Sequence, residues 1–197
     1  MSNLTLKEIQ ELIEKLGGDQ KVREILSKNA ETSVSKIILN GLTTNGTVTV
    51  GPLTKTFVSK DFFRDDNRDV KLYIYGSFTN RVLPSTGEVS KQPAATIVSY
   101  ELTKAMYDHE IRAELPENHV FAIDDLWMIA DLISHQPRGE SGTLLNNGYA
   151  NLFYIQVGAS VFVVSVNWHD SDWFVYVWDL VGHGRWYDGY RVFSRNG

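Results

Sequence analysis

The pattern of apolar and polar positions divides the chain into a helical start, a run of short strands, one apolar helix and a closing set of strands. In the first stretch, apolar residues recur at helical spacing at Leu6, Ile9, Ile13 and Leu16. Thr5 and Glu8 have the form of a capping box, and Gly17 ends the helix before a shorter one begins. The sequence therefore predicts an N-terminal helical hairpin over residues 1–35.

Short β-branched segments separated by turn residues occupy residues 36 to about 115. The candidate strands read SKIIL, GTVTV, KTFVS, VKLYIYG and ATIVSYEL. The charged stretch KDFFRDDNRDV is expected to be a solvated connector, and LPSTGEVSKQPAA an exposed loop.

The segment FAIDDLWMIADLISHQ predicts the one strongly apolar helix of the chain, with Ile123, Leu126, Trp127, Ala130 and Ile133 on one face. A helix this apolar is covered by protein on most sides. Asp124 and Asp125 fall in its first turn, where they complement the helix dipole, so we interpret them as capping charges.

The last fifty residues predict a C-terminal β-meander of four strands: YANLFYIQV, SVFVVSVNW, WFVYVWDL and YRVFS. In the third strand Trp173, Val175 and Val177 alternate with Phe174, Tyr176 and Trp178, which predicts cover on both faces, by the helix on one and by other chain or a ligand on the other. In the closing strand we expect Val192 to enter the core and the arginines to reach solvent or carboxylates. Together these elements predict an α+β fold over residues 36–197, with a mainly antiparallel sheet, one central apolar helix and the meander.

The composition of the chain limits the kinds of partner that it is expected to bind. The chain has no cysteine, which excludes disulfides and thiolate chemistry, and its net charge is −5. Basic residues outnumber acidic ones in none of the stretches 1–36, 37–149 and 150–197, so no nucleic-acid partner is expected, although the hairpin faintly resembles a helix-turn-helix. No signal peptide or membrane span is recognised, which favours a cytoplasmic protein whose partner is another protein or a small polar ligand.

Four common catalytic signatures are missing: the nucleophile elbow, the phosphate loop, the H-E-x-x-H zinc motif and the dinucleotide fingerprint. No cofactor or metal ion is expected. What remains is a set of candidate catalytic residues, His169, Asp170 and Asp172 in one turn and His183 in the next loop. The competing interpretation is that Asp and Ser are ordinary turn residues here. His119 and His135 are expected to be structural.

Aromatic and arginine residues crowd the C-terminal region and are candidate ligand-binding groups: Trp168, Trp173, Arg185, Trp186, Tyr187 and Arg191. The alternative is that the aromatic members are core residues and cross-strand pairs. The GRWYDG loop is the expected contact surface.

The strings GTLLNNGYANLFYI and RWYDGYRVFSRN, together with the opening hairpin and VKLYIYGSF, resemble an uncharacterised family of small proteins from candidate-phyla bacteria with small genomes. The ending W-x-x-G-x-R-V-F-S-R-N is the most specific part. The resemblance implies no activity, cofactor or site residue.

Three functional hypotheses follow. The leading one is a non-catalytic binding or protein-interaction module that uses the aromatic and arginine surface. The first alternative is a small hydrolase or nuclease-like enzyme, which requires His169 and His183 to converge on one cleft. The second alternative is a self-associating structural protein.

Overall fold

The structure is a computed structural model that describes residues 38–195, and for residues 38 and 39 only the backbone. The predicted hairpin over residues 1–35 lies outside the described residues. The described residues all belong to one compact unit of the chain.

An eight-stranded sheet forms the centre of the fold, in the order β1-β2-β6-β10-β7-β8-β9-β4, and β3 pairs with β5 in a separate ribbon. The strands are β1 (Ile38–Leu39), β2 (Leu42–Val50), β3 (Phe57–Val58), β4 (Leu72–Ile74), β5 (Glu88–Val89), β6 (Ala95–Leu102), β7 (Asn151–Val157), β8 (Ser160–His169), β9 (Asp172–Asp179) and β10 (Arg191–Arg195). The α+β class and the dominance of the sheet agree with the sequence.

Five of the seven pairings in the large sheet are antiparallel, and two, β10 with β7 and β4 with β9, are parallel. The expected four-strand meander is therefore only partly correct. Strands β7, β8 and β9 do form a meander, but β10 lies between β6 and β7 instead of beside β9. The connection over residues 180–190 makes this possible, because it carries the chain across the sheet to the far side of β7.

Within residues 38–195, four short helices and two 3-10 turns accompany the sheet: α1 (Ser59–Phe62), α2 (Gly76–Arg81), α3 (Asp108–Glu114), α4 (Leu126–Ser134), and the turns Leu83–Ser85 and Ile123–Asp125. The stretch predicted to be a solvated connector contains most of α1 and the buried Phe63, and the predicted exposed loop contributes β5. Both expectations were incomplete, because isolated apolar residues within polar segments give no periodic signal.

The apolar helix α4 packs on one face of the sheet, against Phe153, Ile155, Val164, Val166, Trp173, Val175 and Phe193. Asp125 just before it is buried, and its Oδ2 accepts hydrogen bonds from the Ala122 amide at 2.8 Å and from Arg195 Nη1 at 3.1 Å. Burial raises the pKa of Asp125, and these two groups oppose that rise. The Asp125 carboxylate therefore closes the 3-10 turn Ile123–Asp125 that leads into α4, and it makes no capping hydrogen bond to α4 itself.

The opposite face is covered over β6, β10 and β7 by α3 and the connection over residues 180–190, which bury Met106, Ile111, Leu115, Trp186, Tyr154, Leu152 and Val192. Val192 and its neighbour Phe193 are both fully buried, on opposite faces. We expected only one side of β10 to enter the core, and this was wrong because the strand is central and covered twice.

None of the helices in residues 38–195 is long and apolar enough to cross a membrane.

Candidate functional site

A buried carboxylate joins three distant parts of the chain. Asp108, at the start of α3, accepts hydrogen bonds at Oδ1 from Tyr154 Oη (2.9 Å) and Trp186 Nε1 (2.8 Å). His183 Nε2 lies 2.6 Å from Asp108 Oδ2. We call these four residues the Asp108 cluster. The Asp108 and His183 side chains are only 2% and 9% exposed, so these charge-assisted bonds offset the cost of burying the carboxylate.

The elements around Asp108 hold its partners in place. Tyr154 lies on the central strand β7, where burial and the Asp108 charge both raise the pKa of its phenol, so the hydroxyl remains a donor. Trp186 is fixed by two backbone hydrogen bonds with Met106, of 2.8 and 2.9 Å. Because an ionised carboxylate only accepts, His183 carries its proton on Nε2 and leaves Nδ1 for another partner.

Beside the Asp108 cluster lies a cleft of about 500 Å³, lined by Tyr107, Asp108, His109, Arg112 and the chain at Leu180–Gly182 and Gly184. Asp108 and Arg112 are four residues apart on α3, so they share one side of the helix. The cleft is thus a concave site with polar groups converging on it, of the size typical for small-molecule sites.

A second candidate surface is a row of rings on the outer face of the sheet where α3 does not cover it. We call Tyr73, Tyr75, Phe174, Tyr176 and Trp178 the aromatic row. Ring centroids are 5.1 Å apart for Tyr73 and Phe174 and 3.6 Å for Tyr75 and Tyr176, with rings tilted by 24° and 23°. Along β9 the centroids follow at 6.4 and 5.8 Å, again with nearly parallel rings.

Uncharged residues flank the aromatic row on β8. The register places Val163 opposite Trp178, Ser165 opposite Tyr176, and Asn167 opposite Phe174. Ser165 Oγ accepts a hydrogen bond from Trp178 Nε1 at 2.9 Å, which fixes that indole. Burial and the neighbouring Tyr75 hydroxyl raise the pKa of Tyr176, so its hydroxyl stays protonated at neutral pH.

The structure does not bring His169 and His183 together. They lie at opposite ends of β9, whose eight residues span roughly 23 Å at about 3.3 Å per residue. His169 Nδ1 lies 2.9 Å from Oδ2 of its exposed neighbour Asp170, and its ring meets Phe174 edge-on with centroids 5.8 Å apart. Asp170 and Ser171 form the turn with positive φ, 48° and 69°, and Asp172 begins β9. The hydrolase hypothesis thus lacks the shared cleft that it requires.

The predicted ligand-binding residues are divided among three environments. Trp173 is fully buried, and its Nε1 donates to the Gln136 carbonyl at 2.6 Å; Trp168 packs against it with centroids 5.3 Å apart. Trp186 is buried in the Asp108 cluster. Trp173 and Trp186 are thus buried and Trp168 is half-buried, whereas Phe174, Tyr176 and Trp178 lie on the other face of β9.

Of the remaining predicted residues, Arg185 and Tyr187 are exposed, and the Arg185 guanidinium carbon lies 4.8 Å from the centroid of the Tyr107 ring. Arg191 is half-buried, donates from Nη1 to the Thr143 carbonyl, and lies opposite Glu101 in the sheet. Burial lowers the pKa of Arg191. Arg191 therefore contributes to the packing of the sheet and belongs neither to the cleft nor to the aromatic row.

Sequence reasoning missed Asp108, Arg112, Tyr73 and Tyr75. Alternation along β9 pointed to the outer rings Phe174, Tyr176 and Trp178, but nothing in the pattern placed β4 beside them.

Comparison of the chain with protein-family models, with curated proteins and with solved structures gives no match.

Proposed function

We propose that the chain is a non-catalytic binding module that holds an extended, neutral glycan on the aromatic row. The observation that carries this proposal is the unbroken series of rings from Tyr73 to Trp178, on a part of the sheet face that no helix of residues 38–195 covers. Tyr73 is 46% exposed and Trp178 36% exposed, which is unusual for rings of this size that lie in a row.

The uncharged residues beside the aromatic row favour a neutral glycan as its ligand. Sugar rings present apolar C–H faces that pack on aromatic rings, and hydroxyl groups that need hydrogen-bond partners beside them. The half-buried Asn167 amide makes no hydrogen bond within the described part of the chain, and the Tyr73 and Tyr75 hydroxyls lie in the same row.

A single-stranded nucleic acid also stacks on rings, but it needs a basic groove along its backbone. The β8 residues that pair with the row are uncharged, and the chain as a whole carries −5. These charges favour a neutral glycan over a polyanion.

The test is binding to a panel of neutral soluble glycans by affinity electrophoresis and calorimetry, comparing Tyr73→Ala with Tyr149→Ala. The two tyrosines are 46% and 45% exposed, but Tyr149 lies outside the aromatic row and packs against Tyr190 with tilted rings. Loss of one stacking ring is worth about 0.5–1.5 kcal/mol, or roughly a twofold to twelvefold weaker Kd. We expect this weakening for Tyr73→Ala and none for Tyr149→Ala.

Other outcomes contradict the proposal. Equal effects of the two substitutions refute the aromatic row as the binding surface. Binding of oligonucleotides or of a proline-rich peptide in place of every glycan refutes the ligand class. Concentration-dependent dimerisation that Tyr73→Ala abolishes, without glycan binding, supports self-association instead.

A further inference from the structure

Arg112 lines the cleft beside the Asp108 cluster with most of its hydrogen-bonding capacity unused. Its Nε donates to His119 Nε2 at 3.1 Å, and this is its one hydrogen bond to the residues that the structure describes. No carboxylate oxygen within residues 38–195 lies within 4.0 Å of its guanidinium. A half-buried arginine usually has an anionic partner, because its charge is costly to desolvate.

His119 orients this guanidinium but does not neutralise it. Its Nδ1 lies 2.7 Å from the Pro116 carbonyl oxygen, so Nδ1 carries the hydrogen and Nε2 presents a lone pair to Arg112. Burial lowers the pKa of His119, and the Arg112 charge lowers it further. The imidazole is therefore a neutral acceptor, and neither terminal nitrogen of Arg112 bonds to a residue that the structure describes.

Asp108 lines the same cleft, but its oxygens are already occupied by donors from Tyr154, Trp186 and His183. The Arg112 guanidinium carbon instead lies 5.7 Å from the centroid of the Tyr154 ring. The positive charge of Arg112 thus faces a cleft whose one lining carboxylate is committed elsewhere.

A second cation lies at the edge of the cleft. Tyr107 is 40% exposed, and the Arg185 guanidinium carbon is 4.8 Å from its ring centroid, while the His109 ring stacks on it at 5.7 Å. The volume of about 500 Å³ is large enough for a small molecule as well as for an ion.

We propose that this cleft binds the oxyanion group of a small ligand, a carboxylate or a phosphate, on the Arg112 guanidinium, with Tyr107 and Arg185 at the entrance. The terminal nitrogens of Arg112, which bond to no residue within 38–195, match the two oxygens of such a group in a bidentate pair. This site is separate from the aromatic row and does not depend on the glycan proposal.

The experiment titrates the full chain with inorganic phosphate and, separately, with succinate, at constant ionic strength maintained by NaCl. Calorimetry measures affinity, and amide NMR shifts locate the site. We expect saturable binding of at least one probe, with shifts centred on residues 107–112 and 180–185. Preference for phosphate or for succinate identifies which oxyanion the cleft is built for.

Variants separate a designed site from general charge attraction. Arg112→Gln should weaken binding at least tenfold. The affinity of Arg112→Lys should lie between those of the wild-type protein and Arg112→Gln, because lysine keeps the charge but loses the bidentate geometry. Arg68→Gln removes an exposed arginine outside the cleft and should leave affinity unchanged. Arg185→Gln, at an exposed position, tests the entrance without disturbing the core and should weaken binding by roughly twofold to fivefold, since exposed charges are screened.

The proposal is overturned if neither probe binds, if Arg68→Gln weakens binding as much as Arg112→Gln, or if the shifts of the wild-type protein lie elsewhere. The amide NMR shifts of the wild-type protein still locate the binding site even if Arg112→Gln fails to fold.

Discussion

Replacing Tyr154 with Phe removes one oxygen atom from the centre of the fold and tests whether the Asp108 cluster stabilises it. The phenol is buried and donates to Asp108 Oδ1 at 2.9 Å. A hydrogen bond to a charged group contributes about 1.5–3 kcal/mol, and its loss leaves a buried carboxylate less well compensated. For a chain of this length, each kcal/mol of lost stability lowers the Tm by about 2–4 °C, so we expect the Tm to fall by roughly 3–12 °C.

Tyr100→Phe is the matched control. Tyr100 is also buried, in the same apolar cluster, and its hydroxyl makes no hydrogen bond to the described residues. Burial alone raises its pKa, in contrast to Tyr154, where the Asp108 charge contributes as well. Urea unfolding followed by tryptophan fluorescence at pH 7 measures both variants. If the two substitutions cost the same free energy, or if Tyr154→Phe costs less than about 0.5 kcal/mol, the reasoning about the cluster is wrong.

Two further predictions concern stability. Gly139 has φ of 71°, and a Cβ there would lie 2.1 Å from Trp168 Cε2, so Gly139→Ala should cost about 2–4 kcal/mol in urea unfolding. Gly158→Ala, with φ of 58° and open space around it, should cost only about 1 kcal/mol, and equal costs would refute the steric argument. His119 has a folded-state pKa below its ordinary value of 6.5, chiefly because of burial. Its contribution to stability is therefore fully present above pH 6.5 and is lost as the pH falls through the lowered pKa. The urea midpoint of His119→Gln should change less between pH 7.5 and pH 5 than that of the wild-type protein, and parallel profiles would contradict this.

The parts of the fold that the sequence predicts correctly are those with local periodicity. Helix α4 is a run of nine residues of which seven are buried, and its apolar residues recur at helical spacing. In the β7–β9 meander, turn residues separate the strands, and along β9 buried residues alternate with less buried ones. No local pattern in the sequence indicates where β10 lies in the sheet. Its pairing with β6 and β7 depends on packing against both faces of the strand. The same burial explains why Val192 and Phe193 both enter the core.

The candidate sites depend on long-range contacts, which a single sequence does not encode in any readable pattern. Asp108 is separated from Tyr154 by 46 positions and from Trp186 by 78. His169 and His183 are close in sequence, but the extended strand between them holds them apart. Proximity along the chain was therefore a poor guide to proximity in space.

The central position of β10 has a consequence for how the chain folds. Strands β1, β2 and β6 form one part of the sheet, and β7, β8, β9 and β4 form the other, and β10 is the strand that hydrogen-bonds to both. Until β10 inserts, the edges of β6 and β7 expose unpaired backbone groups that can pair with another chain. Because this pairing is non-local, we expect it to form late in folding, and we expect chains in which β10 has not yet inserted to be prone to aggregation. Substitutions that delay the insertion of β10 should therefore lower the yield of folded protein even when they leave the stability of the final fold intact.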